Sequence, residues 1–169
     1  DFCLSRGLGD VYKRQGQELW AYIPSMVLPN LYKLADKNYP TDSTKHQFYV
    51  DNSPETGDIC PTAPTTACTA AQWKTILVGG LNRGGKGYYA LDITNPSSPA
   101  LLWEFTDQNL GYTYGNPTIT KLKDGTWVVL VSAGYNNVDG TSTADVGKGR
   151  LYISVSYTHL RAHETGRNL

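Results

Sequence analysis

The residues of this chain that could do chemistry begin with a glycine run, LVGGLNRGGKGYYALDIT, at 77–94. Gly80, four further residues and Gly85-Lys86 nearly reproduce the G-x-x-x-x-G-K-[ST] loop that cradles nucleotide phosphates. That loop needs a hydroxyl residue after the lysine and a helix whose N–H groups meet the phosphates. Gly87 stands at the hydroxyl position and a strand-like segment follows it. We therefore interpret the run as a connection between two strands, with positions that tolerate positive φ at Asn82, Gly84, Gly85 and Gly87.

Two cysteines frame a second candidate, CPTAPTTAC, from Cys60 to Cys68. A short polar loop rich in Pro and Thr between two strands favours a disulfide formed in an oxidising compartment. Its closure would stabilise the fold by roughly 2–3 kcal/mol on the chain-entropy model. Zinc is disfavoured because no second pair of Cys or His residues accompanies the two thiols. Two free thiols remain the alternative.

The remaining ionisable residues predict no catalytic, cofactor-binding or metal-binding residue. His46 stands alone, and Glu104 and Asp107 lie three apart on a strand, so that their side chains point to opposite faces. Asp58 and Asp92 end strands, where carboxylates usually accept hydrogen bonds from turns. The loop 136–145 offers oxygen donors that calcium could use, although a solvated turn is the commoner outcome. We therefore expect a protein that is not an enzyme.

Composition narrows the class of partner. The 169 residues carry 15 basic and 15 acidic side chains, so no basic excess indicates nucleic acid. No apolar run approaches the ~20 residues of a membrane-spanning helix.

An internal repeat predicts the elements that position these residues. WKTILVGGLN at 73–82 aligns with WVVLVSAGYN at 127–136, an offset of 54, and GKGYYALDI at 85–93 aligns with GKGRLYISV at 147–155, an offset of 62. Each unit is interpreted as four strands, near 54–59, 73–81, 87–94 and 100–106 in the complete copy. An earlier unit would end with a strand at 16–24.

This repeat predicts an all-β fold: a partial β-propeller of about two four-stranded blades plus an edge strand. A β-sandwich is the alternative, but it would not require strand sequences to recur in order. The repeated tryptophans, interpreted as packing between blades rather than as a cofactor stack, are Trp20, Trp73, Trp103 and Trp127.

Residues 25–40 break the strand pattern. Val27, Leu28, Leu31 and Leu34 fall at helical spacing, which predicts one short amphipathic helix inserted between blades. An irregular loop with buried leucines is the alternative.

Both ends of the chain, CLSRGLGDVYKRQ and VSYTHLRAHETGRNL, resemble translated sequencing-adapter read-through. We expect 1–15 and 154–169 to be artefactual or disordered ends, and 16–153 to be the partial propeller.

Several long strings then carry a family resemblance: ELWAYIPSMVLPNLYKLADKNY, HQFYVDNSPETGDI, WKTILVGGLNRGGKGYYALDIT, LLWEFTDQNLGYTYGNPTITKL and WVVLVSAGYNN. Together they resemble the C-terminal β-propeller of the PilY/PilC-type type IV pilus tip-associated proteins. The resemblance implies a non-catalytic bacterial protein, secreted to the cell surface or pilus tip and outer membrane-associated or extracellular. It would support pilus biogenesis and extension, cell adhesion and twitching motility. Its partners would be pilins, minor pilins and a host or abiotic surface.

The resemblance also implies calcium, bound by an EF-hand-like D-x-D-x-D loop. No D-x-[DN]-x-[DN]-G string occurs in this chain, so Ca²⁺ is expected for the full-length family and not for this fragment. Two other functions remain open. A quinoprotein-type (PQQ-dependent) dehydrogenase propeller would bind a quinone on a tryptophan floor, and a generic propeller would bind carbohydrate or protein.

Overall fold

The computed structural model describes residues 18–39, 41–62, 67–137, 149–155, 157 and 159–161. Within these residues the fold is all-β, with eight strands in two four-stranded antiparallel sheets and two 3-10 helices, Ser25–Ala35 and Ala70–Gln72. The first sheet contains β1 (Glu55–Ile59), β2 (Lys74–Gly80), β3 (Tyr88–Asp92) and β4 (Ala100–Phe105). The second sheet contains β5 (Thr118–Lys121), β6 (Trp127–Ser132), β7 (Leu151–Val155) and β8 (His159–Arg161).

Strand order follows chain order in both sheets, as in the blade of a propeller. The four strands predicted for the complete copy each lie within two residues of the observed bounds. The predicted architecture, two four-stranded blades of a partial propeller with one short inserted helix, is confirmed.

The two sheets share one hydrogen-bond register. Moving β1 and β3 by 63 residues (Glu55 onto Thr118) and β2 by 52 (Gly80 onto Ser132) reproduces the pairings of the second sheet. The alignment of the repeats by sequence was therefore wrong for the strands. The offset of β2 is 52 residues rather than 54, and that of β3 is 63 rather than 62. A one-residue error matters because it transfers every side chain of a strand to the other face.

The inter-sheet core fills the space between the two sheets. From the first sheet it takes Ile76, Val78, Tyr88 and Ala90, and from the second Val129, Val131 and Tyr152. Alternate residues of each strand point to one face, so Leu77, Tyr89 and Leu91 point away from this core. The first sheet consequently has two apolar faces that must both be covered.

Residues 18–50 cover that second face. Val27 and Tyr49 are buried against Leu77, Tyr89 and Leu91. The helix begins at Ser25 as predicted but ends at Ala35, well before residue 40, and it is a 3-10 helix containing Pro29. It stops because Asp36 takes extended backbone angles and its carboxylate accepts the Asn38 N–H at 2.9 Å. An edge strand was predicted at 16–24, and the described part of it, 18–24, forms no hydrogen-bonded strand.

An aromatic contact repeats along the chain. Tyr22 packs against Tyr89 with ring centroids 5.3 Å apart, and Phe105 packs against Tyr152 at the same 5.3 Å. Tyr22 and Phe105 are both the second residue after a tryptophan, in LWAY and LWEF. The segment before the first sheet therefore contacts that sheet as β4 contacts the second sheet.

The tryptophans lie in packing positions. Trp103 and Trp127 contribute to the inter-sheet core, and Trp20 packs on the opposite face of the first sheet. Trp73 meets Trp127 edge to face, with centroids 5.9 Å apart.

The second sheet reaches into the C-terminal end that the sequence analysis set aside. β7 continues to Val155, and residues 159–161 pair with it where β4 pairs with β3 in the first sheet. Residues 1–17 and 162–169 lie outside the described residues. In the described part of the chain, neither helix has the length and apolar content needed to span a bilayer.

Candidate functional site

Four connections meet at one end of the two sheets. They are the loops that precede β1 and β5, the β2–β3 connection at 81–87, and the described part of the β6–β7 connection at 133–137. Antiparallel pairing places these connections together, because β1 and β3 begin at the end where β2 stops. Residues distant in sequence are therefore neighbours at this end.

Thr113 is the polar centre of this end. Its hydroxyl accepts the Leu81 N–H at 2.8 Å and donates to the Gly87 carbonyl at 3.0 Å. The buried Asn52 amide donates to the Thr113 carbonyl at 3.1 Å and to the Asn82 side chain at 2.6 Å. These bonds connect the β2–β3 connection to the loops that precede β1 and β5.

The glycines of the β2–β3 connection do not serve positive φ, and at Gly84 the absence of a side chain is required by the space available. Asn82 does adopt positive φ, 47°, but Gly84, Gly85 and Gly87 do not. A Cβ at Gly84 would lie 1.7 Å from the Tyr49 carbonyl oxygen, and one at Gly87 would lie 2.1 Å from the Met26 Sδ. The predicted conformational role was therefore correct for Asn82 and wrong for the glycines.

A groove of about 400 Å³ opens beside this connection. It is lined by residues 46–48, residues 83–86 and Tyr112. The Arg83 guanidinium lies over the Phe48 ring at 5.0 Å from the centroid. His46 meets Phe48 edge to face at 5.0 Å and stacks on Tyr39 at 5.9 Å. The groove thus combines aromatic rings with the cationic side chains of Arg83 and Lys86.

Glu104 holds the N-terminal segment to the first sheet. Its carboxylate accepts hydrogen bonds from the hydroxyls of Tyr22 and Ser25, and from the Ser25 N–H at 2.7 Å. We call these three residues the Glu104 clasp. Burial alone would raise the pKa of Glu104, but the hydrogen bonds from Ser25 and Tyr22 outweigh it and hold the pKa below its ordinary value. Burial and the neighbouring Glu104 raise the pKa of Tyr22.

Glu104→Gln is expected to lower the free energy of unfolding at pH 7 by about 1 kcal/mol, a figure discounted for partial exposure. Because the pKa of Glu104 is lower in the folded state, its contribution is present above the ordinary pKa of 4.5 and is lost as the pH falls through the folded value. The wild-type chain should therefore lose more stability than the variant between about pH 5 and pH 3. Urea unfolding at stepped pH measures this difference, with the exposed Glu18→Gln as the control. Identical pH profiles for wild type and Glu104→Gln would contradict the clasp.

The other singled-out carboxylates lie apart from the groove. Asp58 accepts the Thr75 hydroxyl at 2.7 Å, and Asp92 accepts the Thr94 N–H at 2.9 Å and lies 3.7 Å from Lys74. Asp107 accepts the Tyr152 hydroxyl at 3.1 Å and does not meet Glu104. All three bind strands and turns, as the sequence analysis expected for Asp58 and Asp92.

Cys60 and Cys68 lie at the opposite end of the first sheet, in the β1–β2 connection. The structure pairs them in a disulfide, with their Cα atoms 6.4 Å apart. Cys60 is buried directly after Ile59, the last residue of β1. The bond therefore closes a connection far from the groove.

The double variant Cys60→Ser/Cys68→Ser is expected to lose about 2 kcal/mol of unfolding free energy, because the unfolded chain regains the freedom of the loop. Urea unfolding followed by tryptophan fluorescence measures the loss. Wild type treated with dithiothreitol serves as the matched control and should reproduce the midpoint of the variant. A midpoint that reduction leaves unchanged would show that the bond does not stabilise this connection.

Calcium is expected for the full-length family, and no calcium ligand was predicted in this segment. Among the described residues no three His, Cys, Asp or Glu side chains come close enough to hold a metal ion together. Most of the loop 136–145 that offered oxygen donors lies outside the described residues.

Phe48, Arg83 and Tyr112 were not singled out in the sequence, and Lys86 was considered only for the phosphate loop that was rejected. A signal was available, because the strand order of a blade brings this connection beside the loop before β1. An arginine and a lysine in the β2–β3 connection, and two aromatic residues, His46 and Phe48, in the loop before β1, would have indicated a shared surface.

Comparison with known families gives a direct match. Residues 9–155 match the family model described as the PilY1 beta-propeller domain, a range that includes part of the N-terminal end set aside above.

Curated relatives agree with this match. The chain is 40% identical over 131 residues to the type IV pilus biogenesis factor PilY1 of Pseudomonas aeruginosa strain PAO1. This alignment covers 76% of the chain and 10% of the relative. It is 41% identical over 133 residues to a PilY1 homolog of Xylella fastidiosa strain Temecula1, covering 77% and 10%. The chain spans about a tenth of the length of these relatives.

A solved structure shares the fold. The crystal structure of the Pseudomonas aeruginosa PilY1 C-terminal domain superposes with a TM-score of 0.58 at 34% identity, covering 91% of this chain and 27% of the solved one.

Proposed function

The chain belongs to the PilY1 β-propeller domain family, and from this premise we propose that it is part of a non-catalytic propeller that supports type IV pilus assembly at the cell surface. Within that role it would support pilus extension, surface adhesion and twitching motility. The relatives carry the name of pilus biogenesis factors.

One observation carries the proposal beyond the family match. The two sheets pack in a repeating manner, with the same register and the same aromatic contact at 5.3 Å. Repeated packing of this kind builds a rigid scaffold whose connecting loops are presented together at one end. A scaffold that displays loops is suited to binding other proteins.

The proposed partners are pilins, minor pilins and the surface to which a cell attaches, and the proposed location is the pilus tip or outer cell surface. Calcium dependence is proposed for a longer protein that contains this segment. The described residues supply no cluster that could bind the ion, so no calcium ligand is assigned to them.

A chimera tests the proposal. Residues 18–155 would replace the aligned segment of PilY1 in Pseudomonas aeruginosa, in a strain whose own PilY1 gene is deleted. We expect surface pili, counted by electron microscopy, and twitching zones to return. The same chimera with Tyr88→Ala, which removes a side chain of the inter-sheet core, should restore neither. A chimera that is made at the normal level but leaves the cells without pili would contradict the proposed function.

A further inference from the structure

The groove at the end of the blades contains cations and no carboxylate. Arg83 and Lys86 line it, and no Asp or Glu does. The salt bridges among the described residues join Lys45 to Asp36 and Lys74 to Asp92, so neither groove cation is paired with an acid of the described chain. Two such cations in one concave surface form a site for negative charge.

Aromatic contacts hold the Arg83 side chain in place. Its guanidinium lies over the Phe48 ring at 5.0 Å, and Phe48 is supported by the edge contact with His46. This contact restrains the long side chain without using its hydrogen-bond donors. A guanidinium with free donors in a fixed plane binds a carboxylate through two parallel hydrogen bonds.

The lining of the groove also includes Tyr112, which has exposed aromatic neighbours. Tyr112 lies next to Tyr114 and Tyr135, with ring centroids 6.5 and 6.3 Å away, and these two neighbours are 50% and 76% exposed. Exposed tyrosines beside an arginine are typical of the energetically dominant part of a protein–protein interface.

We infer that this groove binds an extended acidic segment of a partner protein, with its carboxylates on Arg83 and Lys86 and its apolar groups against the tyrosines. The inference deepens the proposed function and rests on it for the choice of a protein partner. The test below uses a peptide and no pili, so each can fail without the other.

Fluorescence anisotropy of a fluorescein-labelled hexaglutamate peptide tests the inference with the 169-residue chain. We expect saturable binding that weakens as NaCl rises from 50 to 300 mM, since exposed ion pairs are screened by salt. Arg83→Gln/Lys86→Gln should weaken binding about tenfold, because two exposed ion pairs of about 0.7 kcal/mol each together contribute about 1.4 kcal/mol. Lys123→Gln removes an exposed cation from the β5–β6 turn at the other end and should leave binding unchanged.

Two further arms decide the source of the carboxylate. Labelled hexaglutamine should not bind, and oligogalacturonate should compete more weakly than unlabelled hexaglutamate. Equal binding of the two peptides, or equal loss in the double variant and in Lys123→Gln, would overturn the site. Stronger competition by oligogalacturonate would overturn the protein partner in favour of an acidic polysaccharide. If the double variant folds poorly, Arg83→Lys serves as the test instead. It keeps the charge and loses the planar fork, so it should retain part of the affinity.

Discussion

Tyr88→Ala is expected to lower the free energy of unfolding by about 4 kcal/mol, the largest loss for any single substitution considered. Tyr88 is completely buried in the inter-sheet core, where it meets side chains of the second sheet. Alanine would leave a cavity between two rigid sheets that cannot close onto it. Urea unfolding followed by tryptophan fluorescence measures the loss.

Tyr88→Phe is the matched control, since it keeps the ring and removes only the hydroxyl that donates to the Gly115 carbonyl at 2.9 Å. It should lose about 1 kcal/mol. If the alanine variant lost no more than the phenylalanine variant, the side chain would not be packed between the sheets and the two-blade arrangement would be wrong.

Gly84→Ala is expected to be the second most damaging substitution, with a loss of about 3 kcal/mol. The added Cβ would lie 1.7 Å from the Tyr49 carbonyl oxygen, a backbone atom fixed by its own loop. A Cβ added at Gly134 would lie at the same 1.7 Å from the Tyr112 carbonyl oxygen, so Gly134→Ala should have a similar cost. Thermal melting of both variants measures the effect.

Gly149→Ala provides the comparison, because among the described residues no atom beyond its chain neighbours lies within 4 Å of the position its Cβ would occupy. It should melt within a degree or two of wild type, since a surface substitution away from such contacts changes stability by no more than about 0.5 kcal/mol. Gly84→Ala and Gly149→Ala melting together would show that the β2–β3 connection does not contact the loop before β1.

The strands of the first sheet were predictable because each is a β-branched or aromatic run between Gly, Pro, Asn and Asp residues. These Gly, Pro, Asn and Asp residues did not determine the correct alignment of the two repeats. Asn82 and Asn136 both have positive φ and do align at the offset of 54. The strands before them align at 52, because the second connection holds two more residues between strand end and asparagine. Only hydrogen-bond pairing reveals that insertion.

The groove and the clasp escaped prediction for a different reason. Glu104 binds Tyr22 and Ser25, some 80 residues earlier in the chain, and Arg83 lies over Phe48 from another loop. A single sequence shows which residues could bind an acid or a base but not which distant segments the sheets bring together. Connectivity within one blade could have placed Arg83 beside the loop before β1, whereas the contact of Glu104 needs the packing of one blade on the next.

In the pairs Tyr22–Tyr89 and Phe105–Tyr152, the end of one unit contacts the sheet of the next unit along the chain, which is a head-to-tail arrangement. An interface of this kind joins two different surfaces of the unit, so a copy of the unit needs no new complementary surface. Gene duplication of one blade could therefore lengthen such a protein in a single step. Natural variants should differ by whole units rather than by single strands.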